Sequence, residues 1–511
     1  MFKLLYCSST TACFELINNE IYYAKKPYCV FVNGQIAIKD RKENVFSLFG
    51  LTPDTEYAVK TSNDDFEYKF KTKSESCCLS IADFGAKGDG KTLDTRAIQS
   101  AIFAAKPNGR IYIPPGIYYT GPIILKSDIT IELAKGAKLL ASADVNDYPI
   151  WPGEAQDLSN NDTLLFSVWE GEPKNCYQSF ISAYNCANIH IVGQGEIDGN
   201  GPNGIWYHDV KNQKIGRPRL CFFCNCNGVY MHGVTAGHSA SWNIHSFFSA
   251  NIGIYDIKVV ADKDSPNTDG CNPESCENVE IIGASFSVGD DCIALKSGKI
   301  YIAQKYKKPC RKITVRNCLM QYGHGALVLG SEMSGGIKEF SVTQCLFHKT
   351  DRGLRIKTRR GRGKDAIIDN VLFENIKMVN VLTPLVINMY YFCDPDGKTD
   401  FVQNKEPGKY PLDETTPYLG SFTFKNIECI DCEYAAGHFW GLPEQPIDRI
   451  TIEDVTFAMK KDAGAGETVM MTGARKSHKE GLYFFNVNNV VLKNLTFSGI
   501  KGQSVVADRV K

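Results

Sequence analysis

Three aspartates, a histidine and an arginine-lysine pair stand in the middle of this chain in four short motifs. They read Asn267-Thr268-Asp269, Gly289-Asp290-Asp291, Gly323-His324-Gly325 and Arg355-Ile356-Lys357. Carboxyls gathered at one place repel one another, so at least one keeps its proton well above the usual range. A protonated carboxyl beside an ionised one is what cleavage of a glycosidic bond requires: one gives a proton to the leaving oxygen, another activates water. Arg355 and Lys357 are two residues apart and therefore share one face of a strand. There they can hold an anionic substrate, the arginine as a bidentate partner of a carboxylate and the lysine as a point charge. The basic run continues through Arg359, Arg360, Arg362 and Lys364, which reads as a more exposed, solvated stretch.

Positioning these groups sets conditions on the backbone. Asp290 and Asp291 would point to opposite faces of a continuous strand, so the strand must end or bulge there. Gly289 makes such a bend inexpensive. Asp269 precedes Asp291 by 22 residues, close to one turn of a solenoid whose repeats run roughly 20 to 30 residues. Short apolar runs such as Ile189 to Val192, Val229 to Met231, Val279 to Ile282 and Val371 to Phe373 recur to the C terminus, many preceded by Asn. None sustains a helical period for ten residues or more, and the pattern predicts an all-β solenoid. Its core would stack Ile, Val, Phe and Cys, while Asn at the turns bonds its own backbone. Long insertions are expected at Tyr148 to Gln178, Asp198 to Arg217, Lys299 to Cys310 and Phe392 to Thr416. Insertions in a solenoid gather over one face and can convert a cleft into a pocket.

Composition narrows the partners. Lys plus Arg and Asp plus Glu each number 57, so any anion binding is local, and neither nucleic acid nor a membrane surface is an expected partner. Met1 to Ile17 makes a poor signal peptide, and no run of 18 apolar residues appears. The 19 cysteines are scattered and odd in number, which suits a reducing compartment; a cytoplasmic location is expected. Cys221, Cys224 and Cys226, like Cys429 and Cys432, read as buried thiols rather than metal ligands.

At the N terminus, residues 1–76 alternate as a small β module. Its segment Gly50 to Tyr57 resembles the turn and strand of a fibronectin type III domain, where the tyrosine hydroxyl caps a corner. A packing role is expected for it. The polar stretch Lys71 to Ser76 marks the boundary, leaving 77–511 as the second domain. Asp94 is expected to cap a helix from Thr95 to about Ala105 that plugs the open end of the solenoid. Gly88 to Gly90 lacks the lysine and spacing of a phosphate loop.

Taken in order, the four motifs resemble the signatures of the polygalacturonase family of glycoside hydrolases, over roughly residues 80 to 500. That resemblance implies a right-handed parallel β-helix, with the N-terminal module a fibronectin type III-like β-sandwich. It implies Asp290 as general acid, Asp269 and Asp291 as the pair activating water with inversion, and His324 beside the acid. Arg355 and Lys357 would bind the sugar carboxylate, with Asn267, Lys296 and Glu332 lining the site. The family's substrate-site tyrosine falls to Tyr390 or Tyr391, and Tyr390 is taken here. The substrate would be an oligogalacturonide or pectic polysaccharide, cut from the non-reducing end without metal or organic cofactor. Endo cleavage, a decorated pectin such as xylogalacturonan or rhamnogalacturonan, a calcium-dependent lyase and a non-catalytic pectin-binding β-helix stand as alternatives. Aspartates that merely cap turns or bind calcium would leave the ordered histidine and arginine-lysine motifs unexplained.

Overall fold

A computed structural model describes residues 1–160, 162–210 and 212–510. From Cys78 onward the chain winds into three-sided coils. In one of them Cys271–Glu274, Glu277–Ile282 and Ser285–Ser287 form the three sides, and Ile293–Leu295 opens the next by pairing in parallel with Cys271–Glu274. Parallel pairing in register stacks like on like. Ile189, Val229, Ile252, Val279, Ile313, Phe340, Val371 and Phe422 follow one another up a single interior column, all buried. Burying a side chain of this size contributes about 1.5–3 kcal/mol, so the column is a large part of what holds the coils together.

The corners depend on asparagine. Asn188, Asn251 and Asn278 all adopt positive φ, between 53° and 57°, a conformation asparagine tolerates better than most residues. Their side chains do not turn back on their own backbone as expected. Asn278 donates to Asn251 Oδ1 at 3.1 Å, and Asn251 to Asn227 Oδ1 at 2.7 Å, so the amides tie successive coils. The cysteines are free thiols, most of them buried. Cys221 and Cys226 face the central core, whereas Cys224 packs outward with Leu165 and Phe247, so these three thiols do not converge.

Thr95–Ala104 is the helix over the first coil, burying Ile98, Ala101 and Ile102. Asp94 precedes it but does not cap it: its carboxylate accepts from the Lys87 and Gly88 N–H groups at 2.8 and 3.0 Å. The preceding glycine turn competes for the acceptor and wins it.

Residues 2–71 form two antiparallel sheets of three and four strands around Phe14, Tyr28, Phe46 and Val59. The Tyr57 hydroxyl accepts from the Thr52 N–H at 2.8 Å and closes a corner. The module lies along the second side of the coils. Arg316 grips Glu15 with two bonds of 2.6 and 2.8 Å, Tyr6 meets His190 at 2.7 Å, and Tyr6 stacks on Tyr230 and Tyr255. The first side, where the four motifs lie, is left free of it. Among the described residues no helix is long and apolar enough to cross a membrane.

Candidate active site

The strand register decides where the aspartates go. Cys271 pairs with Ile293, and the Gly270 N–H donates to the Asp291 carbonyl at 2.9 Å, so Asp269 and Asp291 occupy equivalent places on adjacent coils. Neighbouring strands are about 4.8 Å apart. Asp290 lies in the bend before Ile293–Leu295, outside any strand, and its carboxylate accepts from the Asp291 N–H at 2.9 Å. This is the break that lets consecutive aspartates reach one cleft. Gly289 permits it through space rather than through unusual φ: a Cβ there would sit 2.5 Å from the Ser265 carbonyl oxygen.

The next coil brings the histidine. His324 donates its N–H to the Asp290 carbonyl at 3.2 Å, and its ring Nδ1 lies 3.0 Å from Asp351 Oδ2. A Cβ at Gly325 would meet Val328 at 2.4 Å and come within 3.4 Å of Asp291 Oδ1. One coil further, Arg355 and Lys357 reach Asp291 at 3.3 and 2.7 Å.

These contacts prepare the carboxyls differently. Burial pushes Asp269 up to about 8, reinforced by Asp290. Burial and then the neighbouring Asp291 also raise Asp290, with His324, Lys357 and Arg355 opposing. For Asp291 burial acts upward too, but Lys357 and Arg355 overcome it and hold the carboxyl well below its ordinary range. The trio thus combines an ionised Asp291 with a proton retained by the Asp269–Asp290 pair.

All three open into one cavity of about 470 Å³, which Asn267, Lys296 and His324 also line. Glu332, Arg355 and Lys357 complete the set that the sequence pointed to there. Lys296 pairs with Glu332 at 2.7 Å and lies over the Trp242 ring at 4.7 Å. Tyr390 is the exception. It is fully buried and its hydroxyl donates to the Gly441 carbonyl at 2.9 Å, while Tyr391 lines the cavity. Asn388 ends the preceding strand and its side-chain oxygen accepts from the Tyr390 N–H at 2.9 Å, which fixes 390 inward and 391 outward.

The model for glycosyl hydrolases family 28 matches residues 129–404, more than half of the chain. The chain belongs to glycosyl hydrolases family 28. It is a glycoside hydrolase of polygalacturonase type. A second model, rhamnogalacturonase A/epimerase, pectate lyase-like, matches residues 78–133. A probable polygalacturonase of Vitis vinifera is 30% identical over 397 residues, covering 75% of each chain. An exo-poly-alpha-D-galacturonosidase of Dickeya chrysanthemi is 29% identical over 411 residues, covering 73% of this chain and 65% of its own. Among solved structures, a family 28 exopolygalacturonase of Yersinia enterocolitica superposes with a TM-score of 0.76 at 21% identity, over 100% of this chain and 98% of its own. An exopolygalacturonase of Thermotoga maritima gives 0.63 at 25% identity, over 83% and 92%.

In this family-28 hydrolase the insertions meet at the cavity. Val168–Trp169 and Glu172–Pro173 pair as a hairpin whose Gly171 carbonyl accepts from the Lys299 N–H at 2.9 Å. The insertion after Tyr391 contributes Cys393 and Asp394, and residues 460–479, whose length the repeat spacing did not single out, contribute Met470. Asp394 gathers Arg362, Arg359 and Lys299 at 2.7, 3.0 and 3.1 Å. Arg359 also pairs with Asp396, and Arg360 with Glu444. The basic run is therefore not a solvated face: Arg359, Arg360 and Arg362 are buried, and only Lys364 is exposed. Their carboxylate partners lie 32 to 84 residues further on, beyond any local pattern. Asp351, Arg352, Trp242 and Glu170 also line the cavity without having been singled out in the sequence. Asp351 and Arg352 had one available signal, their place immediately before and at the start of the strand Arg352–Lys357 that carries the Arg355-Ile356-Lys357 motif.

Proposed function

We propose that this family-28 hydrolase removes galacturonic acid from the non-reducing ends of α-1,4-linked oligogalacturonides or polygalacturonate, with inversion. Asp290 gives its proton to the leaving O4 as the C1–O4 bond breaks. Water held by Asp269 and Asp291 attacks C1 from the opposite side and passes its own proton to that pair, the one proton shared between Asp269 and Asp290 lying on Asp290 in the reacting state. Arg355 and Lys357 turn part of their bonding from Asp291 to the sugar carboxylate, and His324 stands beside the acid. Every role is filled by a side chain, so the reading includes no metal or organic cofactor.

One observation carries this reading: Asp290, raised by burial and by Asp291, and Asp291, held low by Lys357 and Arg355 against burial, share a single cavity with that buried basic pair. The exo mode is supported by the hairpin and the Asp394-tethered insertion, which wall the cavity, and by the similarity to the exo-poly-alpha-D-galacturonosidase of Dickeya chrysanthemi. For the N-terminal module the reading is a fibronectin type III-like sandwich, supported by its three-plus-four strand arrangement and the Tyr57 corner. A cytoplasmic location is supported by the nineteen free thiols, most of them packed in the core. The test of the mode is a time course of products from polygalacturonate. Monomer alone at early times supports the proposal, and a spread of mid-length oligomers overturns it.

A further inference from the structure

A wall that closes a sugar site must distinguish the end of a chain from its interior. In an α-1,4-linked galacturonan the non-reducing sugar differs from every internal one by its free 4-hydroxyl, since all other O4 atoms are in linkages. An enzyme that takes only the terminal unit gains selectivity from an acceptor placed for that hydroxyl, where no further sugar can follow.

The hairpin tip offers one. Trp169 pairs with Glu172 across the two-residue tip Glu170-Gly171, and both tip residues have positive φ, 49° and 75°, as a type I′ turn requires. The tip is fixed on both flanks. Trp169 lies parallel to Trp242 with the Arg219 guanidinium 4.9 and 5.1 Å from their ring centres, and Gly171 is held by the Lys299 N–H. A Cβ at Gly171 would come within 2.8 Å of Glu332, so the tip is pressed directly against the cavity rim. Glu170 itself lines the cavity, is exposed to solvent, and has no hydrogen-bond or ion-pair partner among the described residues. Arg217 bonds Asn267 on the coil of Asp269.

We propose that Glu170 is a specificity-determining residue that accepts a hydrogen bond from the free 4-hydroxyl of the terminal galacturonate. Its negative charge also opposes the carboxylate of any sugar that would extend past it. This rests on the exo reading given above and names the group that enforces it. A hydrogen bond to a charged acceptor corresponds to about a tenfold to hundredfold change in kcat/KM.

The experiment compares trigalacturonate with a trimer whose non-reducing sugar is 4,5-unsaturated and lacks the 4-hydroxyl. It uses the full chain and its Glu170→Ala and Glu170→Gln variants. The wild type should prefer the saturated trimer by about tenfold or more, Glu170→Ala should lose that preference, and Glu170→Gln, which keeps an acceptor oxygen, should restore part of it. Undiminished preference in Glu170→Ala, or none in the wild type, overturns the proposal while leaving monomer release intact. Release of mid-length oligomers from polymer by the wild type would instead defeat the exo reading, and this proposal with it.

Discussion

His324 Nδ1 and Asp351 Oδ2 lie 3.0 Å apart, and that contact is the main reason the imidazole is more basic than usual. The same histidine bonds the backbone of Asp290, so a carboxylate outside the motifs controls the charge beside Asp290. In Asp351→Asn the imidazole pKa, followed by NMR titration, should fall. The sign of the stability effect follows. A histidine pKa raised in the folded state contributes fully below the unfolded value of about 6.5 and is lost as pH rises through the folded one. The variant should therefore lose more thermal stability at pH 5 than at pH 8, and an equal loss at both would count against the pairing.

Asp290 and Asp291 are neighbours in sequence and should respond oppositely to the same substitution. Asp290 is raised by burial and by Asp291, so its charged form is disfavoured, and Asp290→Asn should be at least as stable as wild type at pH 7. Turnover should fall about 10²- to 10⁴-fold with substrate binding largely kept. Asp291→Asn removes the counter-ion of Arg355 and Lys357, both nearly buried, and should cost about 3–5 kcal/mol of stability as well as activity. Calorimetry and single-turnover kinetics on the two variants separate these outcomes.

The pH dependence of the native protein carries the same division. Asp269, pushed up to about 8 by burial and then by Asp290, binds a proton that the unfolded chain releases near 4, so it lowers stability as pH rises from about 4 to 8. Asp291, held low by Lys357 and Arg355 against burial, acts the other way: its contribution is present above about 4 and is lost as pH falls below that. Replacing Asp269 by Asn should flatten the decline toward pH 8 in denaturant titrations. A wild-type slope left unchanged by that substitution would contradict the assignment.

Asp394 joins Lys299, Arg359 and Arg362, and with them ties the insertion after Tyr391 to the coils. Asp394→Ala should leave three cations without that partner, destabilise by about 3–5 kcal/mol, and expose residues 395–416 to limited proteolysis. Uniform protection of that segment in the variant would show that the ion pairs are dispensable.

Much of the fold was legible in the sequence because a solenoid repeats its instruction at every coil. The column from Ile189 to Phe422 appears as recurrent short runs, and the 22-residue offset between Asp269 and Asp291 is the stacking register itself. The three aspartates, His324, Arg355 and Lys357 share the cavity because motif order in a solenoid is also spatial order. What failed was what register alone does not set. Tyr390 and Tyr391 lie past the strand end, where the Asn388 side chain chooses which one faces inward. Arg359, Arg360 and Arg362 looked solvated because their acids arrive from distant insertions. Asp94 kept its place before the helix but gave its oxygens to a competing turn.

The most direct measurement is the anomeric configuration of the first product. Proton NMR on trigalacturonate during the first minutes of reaction should show β-galacturonate appearing ahead of mutarotation, with digalacturonate as the other product. Initial release of the α anomer would mean retention, and would contradict an arrangement in which Asp290 donates the proton while Asp269 and Asp291 hold the attacking water.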